Sequence, residues 1–89
     1  MTKQLRTPRL QPAQVRLLPY IAAGWSTRQI AAALGWTQRT VRDQVSKIIC
    51  LLALDNRAQV GLWAIAAGHV DAEMAVSLLL QQAPHLEVP

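Results

Sequence analysis

Apolar side chains recur along this chain at intervals of three and four residues, the spacing that lines one face of a helix, and they do not alternate as a strand requires. The pattern predicts helices and no sheet. Pro12 suits a first helical position, and Val15, Leu18, Ile21 and Ala22 follow until Gly24 ends the first helix, whose last turn Pro19 should kink. Ser26 and Gln29 form a capping box, with Trp25 placed to staple onto Ile30. A second helix is therefore expected from Thr27 to Leu34, with Ile30, Ala31 and Leu34 inward and Gly35 at its end. Trp36, Thr37 and Val41 repeat that arrangement, and Val41, Val45, Ile48 and Leu52 then predict a third helix over 38–53. Asn56 caps a fourth helix over 57–67, before Gly68. Asp71 caps a fifth over 72–82, with Met74, Leu78 and either Val76 or Leu79 and Leu80 on its apolar faces.

Length and charge narrow the function classes. Eighty-nine residues make one domain with little room for an enclosed active site. A lone cysteine, Cys50, excludes an intramolecular disulfide or a paired-cysteine zinc site, and no apolar run approaches a membrane span. A soluble, cytoplasmic protein is expected. Net charge is +4, but residues 1–57 carry +7 and residues 58–89 carry −3, so the first two-thirds of the chain should meet any polyanion. Residues 1–9, with Lys3, Arg6 and Arg9, read as a basic arm.

A short helix ending at Gly35, a three-residue turn and a longer capped helix make a helix-turn-helix pattern. Val41 and Val45 dock the third helix on the core, leaving Gln38, Arg39, Arg42, Asp43, Ser46 and Lys47 on the opposite face. That face fits a major groove of double-stranded DNA. Arg42 can contact guanine bidentately and Gln38 can read adenine, with Asp43 and Ser46 beside them. Arg39, Thr40 and Lys47 are placed to meet phosphates, as are Thr27 and Arg28 at the second helix's N-terminus.

Several stretches together resemble the LuxR/GerE-type helix-turn-helix DNA-binding domains of bacterial transcription regulators. They are Leu10-Gln11-Pro12, Ile21-Ala22-Ala23-Gly24-Trp25-Ser26, Gln29 to Gly35, Arg39-Thr40-Val41-Arg42, Val45 with Ile48 and Ile49, and Asn56-Arg57 followed by Gln59 and Leu62-Trp63-Ala64. The resemblance covers residues 10–70. It implies an all-α, tetrahelical domain whose third helix enters the major groove and whose fourth helix joins two copies through Leu62, Ile65 and Ala66, letting a homodimer read an inverted repeat. Residues 71–89 would be an additional C-terminal helix and tail.

The chain departs from that family in three places. Cys50 and Leu51 stand where a basic pair is usual, so Ile48 to Leu54 is apolar on nearly every side, and the fifth helix should either pack on that surface or enlarge the dimer interface. Asp43 on the reading face either accepts from cytosine N4 or pairs with Arg39 or Lys47 one turn away, pairing being the favoured reading. No receiver or ligand-sensing domain is expected before the reader, so regulation is expected from elsewhere.

Other features read plainly. Trp25 and Trp36 sit at staple positions and should pack in the core rather than stack on bases. Cys50 lacks a basic neighbour to activate it and reads as an inert core residue. His69 and His85 have no partners at metal spacing, and no nucleophile, phosphate loop or carboxylate pair suggests an enzyme, a metal site or a cofactor. An alternative function class remains, a protein-interaction module using the same fold to bind RNA polymerase, a sigma factor or another regulator.

Overall fold

The structure, a computed structural model, describes residues 9–86. Those residues are all-helical: α1 (Pro12–Ala22), α2 (Thr27–Leu34), α3 (Gln38–Leu51), α4 (Arg57–Ala66) and α5 (Ala72–Gln82). Most of the expected basic arm, including Lys3 and Arg6, lies outside the described residues, as does Glu87.

Capping residues set the element boundaries. Ser26, Thr37 and Asn56 each accept a hydrogen bond from the backbone N–H three residues on, at 3.1, 3.1 and 3.0 Å, and Asp71 accepts from Glu73 at 3.0 Å. Gln29 returns the capping box by accepting from the Ser26 N–H at 2.8 Å. Gly35 takes a left-handed φ of 70° and closes α2 against the Ala31 carbonyl. Pro19 removes one backbone hydrogen bond without ending α1, which continues to Ala22.

Helix α1 is the element around which the others assemble, packing against α3, α4 and α5, while α2 packs on α3. Leu17, Leu18, Ile21, Ile30, Val41, Val45, Ile48, Val60 and Ala64 form the buried centre. Within α1 the inward face is Gln14, Leu17, Leu18 and Ile21, and the Val15 assigned inward from spacing is exposed instead. The buried face centres on Leu17, Leu18 and Ile21, and at about 100° per residue Val15 falls to one side of it, while Gln14 lies on it with its side-chain oxygen accepting from the Gln11 N–H at 2.9 Å.

The crossing of α4 over α1 depends on Gly61. A Cβ there would lie 3.0 Å from the Ala22 Cα and 3.3 Å from the Ile21 carbonyl oxygen, both backbone atoms. Gly61→Leu is therefore expected to lower stability by about 1–3 kcal/mol despite leucine's better helix propensity, read as a fall in the thermal midpoint.

Two expectations about the C-terminal half are corrected, and one of the two placements expected of α5 is set aside. Helix α3 ends at Leu51, two residues early, because Ala53 turns the chain with φ 53° while its N–H bonds the Cys50 carbonyl at 3.1 Å. Cys50 is exposed rather than in the core, since two residues of helix rotate it about 200° away from buried Ile48. Helix α5 does not cover the Ile48 to Leu54 surface. It docks on α1 through buried Ala75, and the indole N–H of Trp25 donates to the Leu78 carbonyl at 2.8 Å.

Candidate nucleic-acid interface

The exposed face of α3 assembles as its spacing dictates. Val41, Val45 and Ile48 are buried against α1 and α2, which turns Gln38, Arg39, Thr40, Arg42, Asp43, Ser46 and Lys47 outward, all of them exposed. Three residues, 35–37, connect α2 to α3. Ala31, small and buried, lets the two helices approach where they cross.

Side-chain contacts distinguish the members of that face. Asp43 pairs with Arg39 one turn earlier, Nε to Oδ2 at 4.0 Å, with side chains 88% and 63% exposed, so the pair contributes little to stability. Among the described residues no hydrogen bond or ion pair engages Arg42, Gln38, Ser46 or Lys47, which leaves their polar ends available. Thr40 accepts from the Thr37 hydroxyl at 2.9 Å and keeps its own proton for a further acceptor.

At the start of α2 the arrangement is more built. Arg28 is exposed, whereas Thr27 is half-buried and its hydroxyl accepts from Arg57 at 3.2 Å. Arg57 also donates to the Trp25 carbonyl at 2.8 Å. That residue carried the family resemblance in the sequence but no assigned contact, and no local signal reveals its partners, which lie 30 and 32 positions away. Gln29 reaches α5 as well, donating to the Gln82 side chain at 2.6 Å.

Trp25 is buried, its ring 4.9 Å from that of Tyr20 and tilted by 55°. Trp36 is half-buried on the core edge, with the Arg16 guanidinium 5.6 Å from its ring centroid. Neither is presented as a stacking platform for bases.

The geometry of two capped helices, a glycine turn and an exposed basic face is that of a helix-turn-helix, and a family model agrees. Residues 13–49 match the homeodomain-like domain. No curated protein and no solved structure matches the chain significantly. The homeodomain-like match spans nearly all of α1, all of α2 and most of α3, so it includes Gln38 to Lys47 and stops before α4 and α5. A helix-turn-helix of this kind is consistent with DNA binding.

Beyond the matched residues, α4 presents Leu62, 71% exposed, with Ile65 and Ala66 beside it. Leu62 and Ile65 edge an open groove of about 500 Å³ floored by Ile21, Ala22, Gly24, Ala58 and Gly61, with Arg57 at its margin. A smaller groove of about 210 Å³ continues past Ile65 to Val76 and Leu79 on α5. Among the described residues no group of three or more metal-ligating side chains gathers, and no helix is long and apolar enough to cross a membrane.

Proposed function

We propose that this protein is a cytoplasmic, homodimeric, sequence-specific double-stranded DNA-binding transcription regulator of the LuxR/GerE type, with no catalytic activity. The observation that carries the reading is the outward, uncommitted face of Gln38, Arg42, Ser46 and Lys47 on a helix whose other side is locked into the core. Gln38, Arg42, Asp43 and Ser46 read base edges. Thr27, Arg28, Arg39, Thr40 and Lys47 meet phosphates and set the register.

Dimerisation is assigned to Leu62, Ile65 and Ala66, because an exposed leucine beside a groove floored by alanine and glycine is a knob next to a hole on one patch. A two-fold axis pairs each copy's knob with the other's hole. A dimer whose protomers each neutralise about four phosphates should lose affinity with a slope near −7 in log K against log salt, measured by fluorescence anisotropy on a selected duplex. The alternative, an interaction module for RNA polymerase, a sigma factor or another regulator, predicts no selected duplex and no such slope.

A further inference from the structure

Arg57 stands at the junction of the two surfaces that the proposed function needs. Its backbone opens α4, and its side chain borders the groove beside Leu62 and Ile65. The guanidinium is half-buried and donates from two different nitrogens, Nη2 to the Trp25 carbonyl at 2.8 Å and Nη1 to the Thr27 hydroxyl at 3.2 Å. Among the described residues these are the hydrogen bonds that join α4 to the start of α2. The planar fork suits this task, since its N–H groups point in fixed directions and can hold two acceptors at once.

We infer that Arg57 is a positioning residue that fixes the dimer-forming helix relative to the DNA-reading helices, and so sets the half-site spacing two copies accept. The inference rests on the dimeric DNA-reading function proposed above. In a two-fold dimer the separation of the recognition helices follows from how α4 is mounted on each protomer, and half-site spacing is a geometric consequence of that mounting. Helix α4 packs chiefly on α1, where Gly61 lies against the Ile21–Ala22 backbone, and to a lesser extent on α3, so what ties its N-terminal end to the start of α2 is the pair of Arg57 hydrogen bonds. Trp25 fills that role together with Arg57. Its carbonyl is held from α4 while its indole is held by the Leu78 carbonyl of α5, so the joint is braced from both sides.

The test uses the full chain, wild type beside Arg57→Ala and Arg57→Lys, on duplexes carrying one selected half-site or two inverted half-sites at a series of spacings. Melting curves and circular dichroism establish that each variant is folded. Wild type should prefer one spacing over its neighbours by about tenfold or more, and both variants should reduce that preference to about threefold or less while binding the single half-site within about threefold of wild type. Lysine retains the charge but not the fork, so a loss shared by both variants assigns the effect to geometry.

Retention of the wild-type spacing profile in Arg57→Ala, or its full rescue by Arg57→Lys, would overturn the inference while leaving the DNA-reading function intact. A parallel fall on the single half-site and on every spacing would also overturn it, assigning Arg57 to phosphate contact instead. If wild type itself binds half-sites without any spacing preference, the dimeric reading fails and this inference fails with it.

Discussion

Arg42→Ala will erase most of the protein's preference for its selected duplex while leaving binding to unrelated DNA nearly unchanged. Arg42 is the central cation of the exposed α3 face, one turn from both Gln38 and Ser46, and among the described residues no ion pair or hydrogen bond engages its guanidinium. A bidentate arginine contact to guanine contributes about 1–3 kcal/mol of discrimination, and a dimer makes it twice. Lys47→Ala serves as the contrast. A phosphate contact carries no sequence information, so its loss should weaken binding evenly across sequences and flatten the salt slope by about one unit per protomer. Selection from a random duplex pool, followed by titration of the winner and a scrambled duplex with each variant, separates the two roles. An Arg42→Ala protein that keeps the wild-type ratio between the two duplexes would remove Arg42 from base reading.

Trp25→Ala will destabilise the fold more than Gly61→Leu does. The side chain is almost wholly buried, packs on Tyr20 and holds α5 through its indole N–H. Truncating a buried tryptophan costs about 3–5 kcal/mol. For a domain of this length total stability is about 4–13 kcal/mol, so the variant should be substantially unfolded or melt far below wild type. Trp25→Phe keeps an aromatic body but loses the donor to Leu78, and should cost about 1 kcal/mol for that hydrogen bond plus the smaller packing loss. In hydrogen exchange the phenylalanine variant should open α5 more readily than α1 or α3, because α5 alone loses a polar tie and keeps just the exposed Gln29–Gln82 bond to α2. Urea denaturation gives the free energies, and a Trp25→Ala midpoint within error of wild type would refute the packing account.

Much of this protein is written locally in its sequence. Ser26, Thr37, Asn56 and Asp71 mark helix starts because a short polar side chain can satisfy a backbone N–H that has no helical partner, and all four cap the helices expected of them. Gly35 marks the turn because its φ lies in the left-handed region. The exposed face of α3 follows from Val41, Val45 and Ile48, since burying one side of a helix dictates the other.

The remaining features depend on contacts between residues distant in the chain and emerge only when the helices pack. Spacing placed Val15 inward, but burial of Leu17 together with Leu18 and Ile21 sets the face of α1 that meets the core and leaves Val15 exposed. The lack of an activating neighbour made Cys50 read as a core residue, and the apolar stretch around it left the docking of α5 open, yet an apolar residue is buried only where a partner arrives, and α5 arrives on α1. Gly61 reads as a weak spot in a helix until Ala22 is found against it. Arg57 and Gln82 carry no periodic signal, and their roles at the α2 corner exist because folding brings acceptors and donors from 30 to 53 residues away within hydrogen-bonding distance.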